Sequence, residues 1–173
     1  MVANLKEHKT RVSKMQLIDN DLNLITAAKD RNILIWDLLK EQRIANYQTS
    51  TGGVNDFSLS KQDNNTLITV GQDRRITQWD LRTPKPIKSI SSDPMNRSDL
   101  ADELYAVDIS FSNKLFVTGG ARGIIRLYDL TMFKFIEEAN AHSEACTNIM
   151  FLKNDKSIIS TGADAQMLTY NLN

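Results

Sequence analysis

One pattern recurs four times along this chain and constrains the fold more than any other feature. The segments "TAAKDRNILIWDL" (26–38), "TVGQDRRITQWDL" (69–81), "TGGARGIIRLYDL" (118–130) and "STGADAQMLTYNL" (160–172) align without a gap. A hydroxyl opens each: Thr26, Thr69, Thr118 and Ser160. Four residues on stand Asp30, Asp73, Arg122 and Asp164, and six further on an aromatic: Trp36, Trp79, Tyr128 and Tyr170. The aromatics are spaced by 43, 49 and 42 residues. A fixed period in this range is the mark of a repeat architecture, in which one small unit cannot bury its own apolar face and stacks on copies of itself.

The unit itself is β-structured. Each segment reads as an apolar run, a few small and polar residues, and a second apolar run, which is two strands joined by a tight turn. "AAKDRN", "VGQDRR", "GGARG" and "GADAQ" supply the turn, with Ala and Gly allowing close backbone approach and Asp able to accept nearby amides. A further apolar strand precedes each segment in "RVSKMQLI", "VNDFSLS", "LYAVDISF" and "CTNIMFL". Another follows the first three in "RIANYQ", "PIKSISS" and "KFIEEANA". Runs such as "NILIWDL" are apolar throughout, as expected of strands buried on both faces.

These residues resemble the WD-repeat family of β-propellers, over essentially the whole chain. The resemblance implies an all-β propeller with four blades present, part of a larger, seven-bladed one. The units are then residues 8–50, 51–92, 93–141 and 142–173, the last lacking its fourth strand, with residues 1–7 as the outer strand of a preceding or closing blade. Further blades are expected from another chain or from the rest of a larger protein. Alone, the chain is expected to oligomerise or be poorly soluble, because open blade faces leave apolar surface and unpaired edges. The resemblance also implies a buried hydrogen-bonded tetrad of His8, Thr26, Asp30 and Trp36 in the first blade, and of His142, Ser160, Asp164 and Tyr170 in the last. Both histidines lie 18 residues before the hydroxyl. The second blade has Thr69, Asp73 and Trp79 but no histidine; the third lacks it too and carries Arg122 in place of aspartate.

Within that family, "HKTRVS", "FVTGG", "AHS" and the stop after "TYNLN" resemble the C-terminal blades of the cilia- and flagella-associated WD-repeat proteins of axonemal doublet microtubules. This implies a non-enzymatic scaffold in the cilium or flagellum, a microtubule inner protein whose partners are tubulin and neighbouring luminal proteins. The residues left over by the repeat are the candidate contacts. Arg31, Arg74, Arg75 and Arg122 fall in one class of turn, where they can form a basic patch for an acidic protein surface. The long segment 91–105, with Asp99, Asp102 and Glu103, is a second candidate. Trp79–Arg82 also fits the WDxR docking pattern of substrate receptors of cullin-type ubiquitin ligases, in which Arg82 is the one residue the repeat does not require.

Other functions find little support. The 21 basic residues equal the 21 acidic ones, so no net field draws the chain to nucleic acid or anionic membrane. No stretch has the length of a membrane span or a signal-peptide core, and a soluble, intracellular protein is expected. Cys146 is the only cysteine and sits in an apolar strand, a buried thiol rather than a nucleophile. His and Cys spacing suits no local metal cluster. "TGGARG" leads into a strand rather than a helix, so it is no phosphate loop, and no cofactor is expected. Ser160, His142 and Asp164 can be written as a hydrolytic triad, but the trio recurs with threonine in the first repeat, which favours structure over catalysis.

Overall fold

A computed structural model of the chain describes residues 5–49, 51–94 and 101–172. Among them fifteen strands form four antiparallel sheets. The first sheet is β1 (Val12–Ile18), β2 (Asn23–Ala28), β3 (Asn32–Asp37) and β4 (Gln42–Gln48). The second is β5 (Val54–Leu59), β6 (Thr66–Gly71), β7 (Arg75–Asp80) and β8 (Pro86–Ser91). The third is β9 (Leu104–Ile109), β10 (Leu115–Gly120), β11 (Ile124–Asp129) and β12 (Lys134–Asn140). The last has three strands, β13 (Cys146–Phe151), β14 (Ser157–Gly162) and β15 (Met167–Asn171). These meanders are the blades of a β-propeller, as the repeat predicts. No helix of the described residues is long and apolar enough to cross a membrane.

Each sheet is a simple meander, so consecutive strands pair through short turns. Register is the same in every blade: Thr26 opposes Leu34, Thr69 opposes Thr77, Thr118 opposes Arg126 and Ser160 opposes Leu168. The turn between second and third strands needs one left-handed residue, and it falls at Arg31, Arg74, Gly123 and Ala165, with φ of 72°, 59°, 74° and 61°. Only Gly123 adopts that conformation without steric cost.

The core lies between blades rather than within them. Ile25, Ile33 and Ile35 of the first sheet pack against Phe57, Leu67 and Trp79 of the second. Ile68, Val70 and Ile76 meet Val107, Phe116 and Tyr128 of the third. Val117, Ile125 and Leu127 meet Ile149, Phe151 and Ile158 of the fourth. Among the described residues packing therefore runs in series, first on second, second on third and third on fourth. Leu5, Lys6 and Glu7 lie beside Trp36, with Glu7 paired to Arg43 at 2.5 Å. Residues 5–7 form no strand, and residues 1–4 of the expected outer strand are outside the described residues.

Candidate functional site

The polar residues of the repeat converge on one slot per blade, between the chain entering the first strand and the turn after the second. In the first blade His8 Nε2 lies 2.8 Å from Thr26 Oγ1, and His8 Nδ1 lies 3.1 Å from Asp30 Oδ2. The Trp36 indole N–H donates to the same Thr26 oxygen at 2.8 Å. Asp30 also accepts the amides of Lys9 and Asn32, at 2.8 and 3.0 Å. Burial alone would raise the Asp30 pKa, but these two amides and the histidine outweigh it and hold it low.

The fourth blade repeats the arrangement. His142 Nε2 lies 2.8 Å from Ser160 Oγ, and its Nδ1 lies 3.0 Å from Asp164 Oδ1. Asp164 accepts the amides of Ser143 and Gln166. Here too burial is outweighed, by those amides and the histidine, and the pKa is lowered. Tyr170 does not complete the set. Its ring packs against the cluster of Val117, Ile125 and Ile158, and no hydrogen bond joins it to Ser160 among the described residues. The reason is geometric: an indole carries its N–H on the flank of the ring, whereas a phenol carries its one polar atom at the tip.

Asp–His–Ser in this order is also the arrangement of a hydrolytic triad. The surroundings rule out that chemistry. Ser160 is 0 % exposed, so no acyl group reaches its oxygen. Its partner in the first blade, Thr26, already accepts the Trp36 N–H and is likewise buried. Cys146 is buried as well, and burial pushes its thiol up to about 11, far from the thiolate a nucleophile needs. No group of three or more His, Cys, Asp or Glu converges to hold a metal among the described residues.

The middle blades fill the slot by other means. In the second, Trp79 still donates to Thr69 at 2.9 Å. Near the position of a histidine, the backbone of Gly52 and Gly53 closes directly onto the next turn: a Cβ on Gly52 would collide with the Asp73 backbone, one on Gly71 with the Gly53 carbonyl, and one on Gly53 with the Lys29 backbone of the first blade. Asp73 accepts the Arg75 amide at 3.1 Å, and burial raises its pKa against that bond, the Arg75 charge and its own amide. In the third blade the carboxylate of Asp102 covers Gly120, as the His142 ring covers Gly162 in the fourth. Asp102 accepts the Arg122 amide at 2.9 Å, and its own amide donates to Ser92 at 2.7 Å. Thr118 and Tyr128, the hydroxyl and aromatic of this blade, are buried, and among the described residues neither oxygen makes a well-formed hydrogen bond, although the two hydroxyls are near enough for Thr118 to favour the charged phenol slightly. Burial pushes the Tyr128 phenol up to about 12, against the neighbouring Arg126 charge.

Asp102 was expected to be a surface contact. It is 5 % exposed and belongs to the inside of its blade. Glu103 is half-buried and accepts from Asn55 at 3.0 Å, while Asp99 lies outside the described residues. The basic turns separate in the same way. The Arg75 guanidinium is bonded to Ser89, and Arg82 makes a two-pronged pair with Asp80 at 2.8 and 2.6 Å. That pair and the Arg82 amide bring the Asp80 pKa down to about 2. Arg122 is exposed and engaged in contacts of its own. Arg31 and Arg74 are exposed, sit in equivalent turns of adjacent blades, and have side chains bonded to nothing among the described residues.

A ladder between the innermost strands gives no repeat signal in the sequence. Ser13 Oγ donates to the Val54 carbonyl and Asn55 Nδ2 to the Leu104 carbonyl, at 2.7 Å each. Asp56 accepts the Val107 amide, Ser58 the Ile109 amide and Asp108 the Phe151 amide, at 3.0, 3.1 and 2.8 Å. Each bond ties one blade to the next around the inner edge. The residue types differ from blade to blade, so only the structure brings the positions together.

Comparison with known proteins agrees with this architecture. The profile of the WD domain, G-beta repeat family matches residues 1–37 and 98–129. Cilia- and flagella-associated protein 52 of Macaca fascicularis is 26 % identical to this chain over 96 % of its length, covering 28 % of that protein. The proteins of the same name from Homo sapiens and Sus scrofa are 26 % and 25 % identical over the same share. The chain thus spans about a quarter of the length of the curated relatives it matches.

Proposed function

We propose that this WD-repeat chain is a non-enzymatic scaffold of cilia and flagella, a structural component of doublet microtubules that binds tubulin and neighbouring luminal proteins. The observation that carries the reading is similarity to cilia- and flagella-associated protein 52 across 96 % of the chain. The physical character of the molecule supports it. The histidines and their hydroxyls are sealed inside blades, which leaves the rims and turns as working surface. Arg31 and Arg74 are the contacts proposed for an acidic partner, being exposed, unbonded and held in a backbone conformation that glycine would adopt more cheaply.

Further blades complete the propeller, since β1 and β15 each end the series with an uncovered sheet. Isolated axonemes washed in high salt test the proposal: the chain stays with the doublets and leaves only when the microtubule wall is dissolved. Release in the first low-salt wash would refute it.

A further inference from the structure

The turn between β7 and β8 is built differently from its counterparts. In the first blade Asp37 accepts the amide of Lys40 at 2.9 Å, and in the third Asp129 accepts that of Met132 at 2.6 Å. The equivalent residue of the second blade, four past the aromatic, is Thr83. Its amide turns to the Asp80 carbonyl at 2.9 Å, and the Asp80 carboxylate is bonded to Arg82 instead. The repeat therefore asks for no hydroxyl at this position. The Thr83 hydroxyl faces only the Asp80 and Lys85 carbonyls, at 3.2 and 3.4 Å, and both contacts are at the surface.

Three further properties single this hydroxyl out. Thr83–Pro84 is the one Ser–Pro or Thr–Pro step among the 173 residues. Proline drives the residue before it to an extended backbone and presents no N–H of its own. It therefore suits a kinase cleft that leaves the next amide unbonded, where any other residue strands a donor. Residues 82–89 are all exposed, the longest such run among the described residues. Finally, the turn is basic. Over residues 80–88, Arg82, Lys85 and Lys88 face one carboxylate, that of Asp80. Arg82 is adjacent to Thr83, and its planar fork matches a phosphate better than it matches the carboxylate it now holds.

We propose that Thr83 is a phosphorylation site for a proline-directed kinase, and that its phosphate takes Arg82 from Asp80. The Thr83 oxygen bonds to the γ-phosphorus of a nucleoside triphosphate held by the kinase. The bond from that phosphorus to the bridging oxygen breaks and the diphosphate leaves. The hydroxyl proton passes to the catalytic carboxylate of the kinase. The phosphate brings about two negative charges, which cancel the surplus of cations in the turn and release the Asp80 carboxylate. A surface that attracts an acidic partner becomes one that does not. Arg74 and Arg82 stand at opposite ends of β7, so this switch is separate from the contact proposed for Arg31 and Arg74. It does not rest on the ciliary reading.

Treating the purified, folded chain with a proline-directed kinase and ATP tests it. Mass spectrometry finds one phosphate, on Thr83. Thr83→Ser keeps it and Thr83→Ala abolishes it. Pro84→Ala slows its entry by about tenfold or more, the cost of one stranded amide. These positions are exposed, and unchanged circular dichroism keeps folding out of the comparison. In the phosphorylated chain the Arg82 Nε–H resonance moves, while that of Arg75, bonded to Ser89, stays in place. No incorporation, incorporation at another hydroxyl, or an unaltered rate in Pro84→Ala would overturn the site. An unmoved Arg82 resonance would overturn the switch. Each of these results leaves the retention of the chain on salt-washed doublets, and with it the scaffold reading, untouched.

Discussion

Asp102 accepts the Arg122 amide at 2.9 Å, whereas in the next blade Asp164 accepts the Ser143 amide at 3.1 Å. The carboxylate has moved from the turn to the incoming chain, and the amide it receives has moved the other way. The same slot is closed with its polarity reversed. Arg122, which departs from the repeat, is therefore matched to Asp102. Restoring the repeat with Arg122→Asp would place a second carboxylate beside a buried one, and like charges at short range disfavour each other. The variant is expected to lose about 2 kcal/mol, at the upper part of the ordinary range for point substitutions. Urea unfolding measures it; an unchanged midpoint would contradict the match.

His142→Ala and His8→Ala each remove the partner of a buried hydroxyl and a carboxylate. Leaving a buried group unsatisfied costs about 1–3 kcal/mol, so His142→Ala should lose about 3 kcal/mol and His8→Ala less, because Thr26 keeps the Trp36 N–H. The fourth-blade loss should be felt most by amides of β13 and β14, read by hydrogen exchange. Tyr170→Phe should change stability by under about 0.5 kcal/mol, because its hydroxyl is outside the hydrogen-bonded set.

The blades were legible in the sequence because hydroxyl, turn residue, aromatic and flanking apolar pairs keep one register. Equal spacing also pairs His8 with Thr26 and Asp30, and those atoms meet in the structure. Three features were not legible. Asp102 sits outside the repeated segment, two positions off the histidine frame, so alignment assigns it to a loop. The Gly52–Gly53 backbone replaces a side chain with no side chain. The inner ladder uses Ser, Asn and Asp at positions that no single residue type marks. In each case packing reuses a position with different chemistry, which a pattern of residue types cannot register.

Stability should depend on pH in two opposed ways. Asp30 and Asp164 have lowered native pKa values, so their contribution is present above the ordinary carboxylate value near 3.8 and is lost as pH falls through the native values. Asp56 is raised by burial despite Lys14 at 3.0 Å. Its contribution is present below 3.8 and declines as pH rises through the raised value. Asp56→Asn keeps an acceptor for the Val107 amide and removes this decline. The variant should therefore gain on the wild type as pH rises above 3.8 through the raised Asp56 value, seen as a rising difference in urea midpoints. A constant difference at every pH above 3.8 would show that burial does not raise Asp56.

Arg31→Gly and Arg74→Gly separate folding from binding. Glycine relieves a left-handed backbone worth about 1 kcal/mol and gives back roughly half of that through unfolded-chain entropy. Each variant should be more stable by about 0.5 kcal/mol and, as the double variant, bind its acidic partner several-fold more weakly. Unchanged co-sedimentation with microtubule doublets would remove these arginines from the contact surface.

The proposed place of this chain is inside the doublet. Electron cryomicroscopy of doublets from cells with and without it tests that most directly. Propeller density on the luminal wall, with four adjacent blades fitting this chain, should disappear when the gene is deleted. Identical luminal density in the two preparations, with the chain recovered in the soluble fraction, would contradict it.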